Sequence, residues 1–219
     1  MTTKLSGPML APQSGGLPRQ VVVLLHGYGS DGQDLIALGQ HWRSLLPEAL
    51  FVAPNAPDAC PDNPMGYQWF PLRLDRTISR VEGAPEARDS IAELLDELWA
   101  QTGLGPAETV LVGFSQGAMM ALHVALSLEE SVAGVVAFSG ALIPPAGFPE
   151  DTAARPPVAL IHGDLDQVVD PQLSRDAAVT LQNTGLEVSL HMSPGTAHGI
   201  SADGLEFATA FLMARLRTG

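Results

Sequence analysis

The sequence predicts a doubly wound α/β fold, in which a mostly parallel sheet carries helices on both of its faces. Wholly apolar segments of strand length recur along the chain, and amphipathic helical patterns separate them. Strands that are apolar throughout are typical of parallel sheets covered on both faces. With 219 residues, of which 46% are hydrophobic and 16% charged, we expect one domain over residues 1–219.

The apolar segments are the predicted strands, and the patterns between them are the predicted helices. The strands are expected at residues 21–25, 50–53, 109–112, 132–138 and 157–161, with an alternating strand at 187–192. The helices are expected at residues 33–46, 85–102, 116–128, 171–183 and 202–217. The clearest helix starts at Pro85, buries Ile91, Leu95 and Leu98 on one face, and ends before Gly103.

Residues 55–85 interrupt this alternation. The segment is rich in proline and shows little periodicity, yet it carries apolar side chains that disordered linkers lack. These are Met65, Tyr67, Trp69, Phe70, Leu72 and Leu74. We therefore expect a packed insertion over the sheet edge that covers a ligand site. The alternative is an irregular connection that only caps the core.

The charge balance argues against polyanionic partners. Eleven Lys and Arg against 24 Asp and Glu give a formal net charge of −13, which repels nucleic-acid backbones and anionic lipid surfaces. No signal peptide or membrane span is visible near the N-terminus. The single cysteine, Cys60, cannot form an intramolecular disulfide. We therefore expect a cytoplasmic protein that has no membrane span and does not bind nucleic acid.

The strongest chemical signal is the pentapeptide at residues 113–117, Gly-Phe-Ser-Gln-Gly, between a predicted strand and a predicted helix. A sharp turn of this kind exposes the central hydroxyl, and its flanking glycines avoid collisions with neighbouring backbone. Ser115 is therefore the candidate nucleophile. A plain glycine-rich turn is the alternative.

A serine nucleophile needs a base, and His198 is the candidate among six histidines. It lies in the loop between the last predicted strand and the last predicted helix, and it follows the candidate acids in chain order. The others lie within helices, in a strand or at earlier strand ends: His26, His41, His123, His162 and His191.

The orienting acid is expected directly after the strand at 157–161, where both Asp164 and Asp166 occur. Asp164 follows a glycine turn and suits a turn former, whereas Asp166 lies farther out, where the loop can approach His198. Spacing leaves the choice close to even, with a preference for Asp166.

Acyl transfer also needs hydrogen-bond donors for the developing oxyanion. We expect them to be the backbone N–H groups of Gln116 and Tyr28, the latter in the turn after the first apolar strand.

The turn that carries Tyr28 also matches the dinucleotide-binding fingerprint Gly27-x-Gly29-x-x-Gly32, but the next strand ends without an acid to hold a ribose. No metal-ligand motif is present, so we expect no cofactor.

Four motifs occur in order along most of the chain: Leu-His-Gly-Tyr-Gly at 25–29, the pentapeptide at 113–117, His-Gly-Asp-Leu-Asp-Gln-Val-Val at 162–169 and Ala-His-Gly-Ile at 197–200. Together they resemble the bacterial phospholipase/carboxylesterase family of α/β-hydrolases, relatives of the acyl-protein thioesterases. The resemblance implies a triad of Ser115, Asp166 and His198, with Tyr28 and Gln116 as oxyanion donors.

The segment Gln-Trp-Phe at 68–70 resembles the aromatic segment that lies over the acyl pocket in this family. The candidate substrate-binding residues are therefore Trp69 and Phe70, together with Met65 and Leu72 of the same insertion. Ala118 departs from the family, in which a glycine often follows Ser-Gln-Gly. Residues 55–81 are less distinctive, so substrate preference is the least transferable property.

The sequence thus predicts a serine carboxylesterase that hydrolyses small-molecule, short- to medium-chain esters through an acyl-enzyme, as a monomer or homodimer and without a cofactor. The same residues would also serve an acyl-protein thioesterase or a lysophospholipase. A ligand-binding protein with an inactive site is the alternative from a different class, because a fold alone does not establish activity.

Overall fold

A computed structural model describes residues 4–216 of the chain. The strands are β1 (Met9–Leu10), β2 (Gln20–Leu25), β3 (Ala49–Val52), β4 (Asp58–Cys60), β5 (Asn63–Gln68), β6 (Thr109–Phe114), β7 (Gly134–Phe138), β8 (Val158–Gly163) and β9 (Val188–Ser193). The helices are α1 (Gly32–Trp42), α2 (Arg76–Thr102), α3 (Gln116–Ser127), α4 (Gln172–Asn183) and α5 (Ala202–Leu216), with a 3₁₀ turn at Pro106–Glu108. None of these helices has both the length and the apolar character that crossing a membrane requires.

Seven strands form the central sheet, in the order β1-β3-β2-β6-β7-β8-β9. Only β1 is antiparallel to its neighbour, and the six longer strands run parallel. These six correspond to the five strands predicted from apolar segments and the one predicted from the alternating pattern, so the mostly parallel α/β fold is confirmed. The short edge strand β1 was not predicted, because two residues show no periodicity.

Alternate residues of the central strands enter two separate cores. In β2, Val21, Val23 and Leu25 pack on the face covered by α2, α3 and α4. Val22 and Leu24 pack on the opposite face, against α1 and α5. Because neighbouring side chains of a strand point to opposite faces, a sheet with two buried faces requires strands that are apolar at every position.

Helix α2 is longer than predicted. It begins at Arg76 rather than at Pro85, which lies within the helix, and the Asp75 carboxylate caps the first turn. The buried side of the added turns consists of small residues, Ser79 and Ala84, so no stripe of large apolar side chains marks them in the sequence. The prediction of a start at Pro85 was wrong for this reason. At the other end of the chain, helix α5 was predicted to reach Arg217, which lies outside the described residues.

The segment before α2 is not irregular throughout, because β4 and β5 form a two-stranded hairpin. The hairpin packs against the loop after β2: the Gly29 N–H donates to the Tyr67 carbonyl, and the Tyr67 N–H donates to the Ser30 carbonyl. Gly66 sits where any Cβ would lie 2.1 Å from the Gly29 carbonyl oxygen, so the contact requires glycine. The hairpin therefore fixes the position of the loop that carries Tyr28.

The lowered pKa values of three buried histidines predict how the free energy of unfolding depends on pH. Burial lowers the pKa of His26, His123 and His162 below the usual 6.5, so the folded protein binds protons less readily there than the unfolded chain. Below pH 6.5 the unfolded state takes up protons first, and the free energy of unfolding falls by up to about 1.4 kcal/mol per pH unit for each histidine.

Urea unfolding between pH 7.5 and 5.5 measures this loss. The variant His123→Asn keeps a donor for the Ile143 carbonyl, which accepts from His123 Nδ1 at 2.9 Å, and removes one of the three titrating groups. Its stability is expected to depend less steeply on pH than that of the wild type. An identical slope in both proteins would contradict the assignment.

Candidate active site

The predicted site residues lie in loops at one edge of the sheet. Because parallel strands end at the same edge, the residues that follow them come together there. The loop after β2 carries Tyr28, Ser115 follows β6, Asp166 follows β8, and His198 lies between β9 and α5. The described residues contain no cluster of three or more His, Cys, Asp or Glu arranged for a metal ion.

Ser115 sits on a strained turn between β6 and α3. Its φ of 53° and ψ of −116° are unfavourable for a residue with a side chain, and its N–H donates to the Phe138 carbonyl at 2.8 Å. A Cβ on Gly113 would lie 2.2 Å from the Gly117 carbonyl oxygen, and one on Gly117 would lie 1.9 Å from the Leu25 carbonyl oxygen. Both flanking glycines are therefore required by close backbone contacts.

Asp166 and His198 are paired. The Nδ1 atom of His198 lies 2.6 Å from Asp166 Oδ2, and the imidazole packs on the Phe114 ring at a centroid distance of 4.9 Å. The other candidate acid, Asp164, accepts a hydrogen bond from the Gly195 N–H at 2.6 Å. Asp164 thus joins the acid loop to the histidine loop, while Asp166 contacts the imidazole itself.

Four donors surround the Asp166 carboxylate. Oδ1 accepts from the N–H groups of Val168 and Val169, and Oδ2 accepts from His198 and from His162 Nε2 at 3.1 Å. Burial raises the pKa of Asp166, but the hydrogen bonds from His198, Val169 and Val168 outweigh it and lower the pKa below its usual value. The carboxylate is therefore ionised at neutral pH and able to orient an imidazole.

His162 is a further part of this network that the sequence analysis set aside. Burial lowers its pKa, so it is neutral, and Nε2 contacts both the Asp166 carboxylate and the Val169 carbonyl oxygen. Both partners are acceptors, so Nε2 carries the proton. Nδ1 is then free to accept from the Ser174 hydroxyl at 2.7 Å. The sequence signal that could have identified His162 was its position at the end of β8, four residues before Asp166.

The loop after β2 is fixed by His26. This buried imidazole donates from Nδ1 to the Gly27 carbonyl at 2.8 Å and accepts at Nε2 from the Ala56 N–H at 2.9 Å. Trp69 packs on the ring and donates from Nε1 to the His26 carbonyl. Within residues 4–216, the N–H of Tyr28 has no acceptor, so it is free to bind a ligand oxygen.

Gln116 contributes a side chain as well as a backbone N–H. Its Oε1 accepts from the Trp69 N–H and its Nε2 donates to the Phe70 carbonyl, each at 2.8 Å. The side chain thus joins the start of α3 to the segment after β5, a role that the sequence analysis missed. The Gln116 N–H itself has no acceptor among the described residues.

Replacement of Gln116 by leucine tests this connection. Leucine retains most of the volume but leaves two buried backbone groups unpaired, which is expected to lower the free energy of unfolding by about 2–4 kcal/mol. Urea unfolding measures the loss. The control is Gln172→Leu, which removes an exposed hydrogen bond to Asp176 and is expected to change stability by less than about 0.5 kcal/mol. Equal effects in the two variants would contradict the proposed role.

One cavity of about 270 Å³ joins most of these residues. Its lining includes Ser115, His198, Tyr28 and Gln116, and the apolar walls come from Phe70, Leu72, Phe114, Met119, Val168 and Val169. The Ser115 hydroxyl has no hydrogen-bond partner among the described residues, and it lines the same cavity as the His198 imidazole.

Two candidate substrate-binding residues lie elsewhere. Trp69 is only 2% exposed, packs beneath the loop on His26 and lines a separate cavity of about 400 Å³ beside α2. Met65 is 83% exposed on the hairpin and does not line the cavity that contains Ser115. Trp69 was chosen from the resemblance of residues 68–70 to the family's aromatic segment, and Met65 for its apolar character in the same insertion. Apolar character does not distinguish a pocket wall from a core residue or a surface residue.

The parallel sheet, the strained serine turn and the acid–imidazole pair define an enzyme of the α/β-hydrolase class. Comparison with known families gives a match to the phospholipase/carboxylesterase family over residues 13–216. The chain belongs to this family.

Individual relatives agree with this assignment. Esterase YpfH of Escherichia coli is 30% identical over 191 residues, which cover 87% of this chain and 80% of the relative. Acyl-protein thioesterase 1 of Saccharomyces cerevisiae is 29% identical, over 89% of this chain and 92% of its own. The crystal structure of esterase PE8 superimposes with a TM-score of 0.95 at 55% identity, covering 98% of this chain and all of the other.

Proposed function

We propose that the protein is a serine carboxylesterase in which Ser115, His198 and Asp166 act together. The observation that carries the proposal is the 2.6 Å contact between His198 Nδ1 and the ionised Asp166, beside a cavity lined by both His198 and the strained Ser115. A carboxylate at Nδ1 keeps the proton there and leaves Nε2 as a base.

The reaction follows from this arrangement in two steps. Ser115 Oγ attacks the ester carbonyl while His198 Nε2 takes its proton, and the N–H groups of Tyr28 and Gln116 bind the oxyanion. His198 then protonates the leaving alcohol. Water, deprotonated by the same imidazole, attacks the acyl-enzyme, and His198 returns this proton to Ser115 Oγ as the carboxylic acid leaves. The start of α3 at Gln116 adds the positive end of a helix dipole at the oxyanion.

Short to medium acyl chains suit the cavity. Its volume of about 270 Å³ lies below the range of about 300–1,000 Å³ typical of drug-sized ligands. Phe70 and Leu72, from the segment at residues 55–85, form part of its apolar wall. We therefore propose that residues 1–219 form one domain in which this segment covers the acyl pocket.

Hydrolysis of p-nitrophenyl esters from acetate to palmitate tests the proposal. While the chain still fits the cavity, kcat/KM is expected to rise by about fourfold for each added methylene. It is then expected to fall at medium length. A continuous rise to palmitate would exclude this cavity as the acyl site. Absence of turnover, with no adduct at Ser115 after treatment with a serine-reactive phosphonate, would indicate a binding protein.

Thioester hydrolysis is the second candidate, favoured by the likeness to acyl-protein thioesterase 1. Phenyl butyrate and S-phenyl thiobutyrate differ only in the leaving atom, which is oxygen in one and sulfur in the other. The ratio of their kcat/KM values, divided by the ratio of their hydrolysis rates with hydroxide, separates the two activities. A corrected preference for the thioester above about tenfold would favour this candidate.

The setting of the protein is also a proposal. The free, buried Cys60 is compatible with a reducing compartment. We propose that the enzyme acts on small esters in the cytoplasm as a monomer or homodimer. Cell fractionation and sedimentation of the purified protein test these two points.

A further inference from the structure

Two arginines line the cavity that contains Ser115 and His198. Arg76 and Arg80 lie one turn apart on α2, so their side chains extend from the same face of the helix. The lining of this cavity also includes Leu72, which follows the hairpin. Nothing in the mechanism proposed above uses a cation at this position.

Neither guanidinium has a hydrogen-bond or ion-pair partner within residues 4–216. This contrasts with four other arginines of the chain, each of which pairs with a carboxylate: Arg19, Arg73, Arg88 and Arg215. The chain has 24 acidic residues against 11 basic ones. Two unpaired arginines beside a cavity are therefore not explained by a shortage of carboxylates.

One carboxylate, Asp34, also lines the cavity, where it accepts a hydrogen bond from the Ser30 hydroxyl at 2.7 Å. It offsets only one of the two positive charges. Burial lowers the pKa of Arg80, and the charge of Arg76 lowers it further. A bound anion would stabilise both guanidinium ions.

We propose that Arg76 and Arg80 bind an anionic oxygen group of the substrate, a carboxylate or a phosphate. The inference rests on the proposed function and narrows it to small esters that carry such a group a few bonds from the scissile carbonyl. Guanidinium groups suit these anions because their N–H donors match two oxygens at once. The overall charge of −13 repels anions at long range, but salt screens that field beyond about 10 Å and leaves the local pair dominant.

A matched pair of esters tests the proposal in a pH-stat. Monoethyl adipate and ethyl hexanoate have acyl chains of the same carbon count and differ by a terminal carboxylate. The wild type is expected to have the higher kcat/KM for monoethyl adipate. The double variant Arg76→Gln with Arg80→Gln is expected to lower the ratio of the two kcat/KM values by at least about tenfold. The corresponding lysine double variant retains the charges and is expected to restore part of the ratio.

The control is Arg175→Gln, which removes an exposed arginine of α4 outside the cavity and is expected to leave the ratio unchanged. Acetyl esters of glycerol 3-phosphate and of glycerol form a second matched pair. A larger anionic preference in this pair indicates binding of a phosphate on the alcohol side of the ester, and a larger one in the adipate pair indicates binding of a carboxylate on the acyl side.

Equal ratios in the wild type and the double glutamine variant for both pairs would overturn the inference. Failure of the proposed function can be distinguished from failure of this inference, because the wild type would then hydrolyse neither ester of either pair. In that event, calorimetric titration with adipate and with glycerol 3-phosphate decides the inference. Binding of either anion to the wild type, weakened at least about tenfold in the double glutamine variant, supports it. Equal or absent binding contradicts it.

Discussion

Replacement of Ser115 by alanine is expected to lower kcat/KM for p-nitrophenyl butyrate at least about 10³-fold. Alanine removes the only atom that forms the acyl-enzyme in the proposed mechanism, while the oxyanion donors and the cavity remain. Turnover would then depend on direct attack by water, which those donors accelerate far less than the complete triad does. Steady-state kinetics at pH 8 measure the effect. The variant is expected to fold, because the Ser115 hydroxyl has no hydrogen-bond partner among the described residues.

Ser139 provides a close control within the same sheet. It follows the neighbouring strand β7, has a φ of 50°, and donates its N–H to the Ile161 carbonyl, as Ser115 does to the Phe138 carbonyl. Its hydroxyl is buried with no hydrogen-bond partner. Ser139→Ala is therefore expected to stay within about twofold of the wild type in kcat/KM. Similar losses in the two variants would show that the loss in Ser115→Ala does not identify its hydroxyl as the nucleophile.

The central sheet could be predicted because its physical cause is local in the sequence. Both faces of β2, β6, β7 and β8 are buried, so each strand had to be apolar at consecutive positions. The serine turn was equally visible, since Gly113 and Gly117 are imposed by backbone contacts that admit no Cβ.

Features that depend on distant contacts could not be predicted. The first turns of α2 bury only small side chains, so the sequence did not predict them as helix. Arg76 and Arg80 lie in these turns, and their placement beside the cavity could therefore not be predicted either. The Gln116 side chain bonds residues 46 and 47 positions away in the chain, which no local pattern indicates. The role of Trp69 could not be predicted either, because an aromatic side chain fits both a pocket wall and a buried support. Its hydrogen bond to the distant His26 carbonyl distinguishes the two.

The choice between Asp164 and Asp166 illustrates this difference. Both follow β8, but the expectation that Asp164 forms the local turn was wrong. Asp166 accepts from the nearby N–H groups of Val168 and Val169, whereas Asp164 accepts from the distant Gly195 N–H. Only the position of the loop after β9 determines which carboxylate reaches an imidazole. In the structure, Asp164 bonds the Gly195 N–H, and Asp166 bonds His198 Nδ1.

Replacement of Asp166 by asparagine is expected to lower kcat/KM by about 10⁴-fold. Every partner of the carboxylate is a donor, so the asparagine NH₂ group must face either His198 or the N–H groups of Val168 and Val169. The arrangement that satisfies the backbone turns the NH₂ group toward Nδ1, which must then accept. The proton moves to Nε2, and the base is lost.

The variant Asp164→Asn is the matched control. It makes the same chemical change two residues earlier, but asparagine keeps the oxygen that accepts from the Gly195 N–H. It is expected to lower kcat/KM by less than about tenfold. Steady-state kinetics of both variants on p-nitrophenyl butyrate measure the difference, with urea unfolding to confirm that each is folded. A larger loss in Asp164→Asn than in Asp166→Asn would reverse the assignment of the acid.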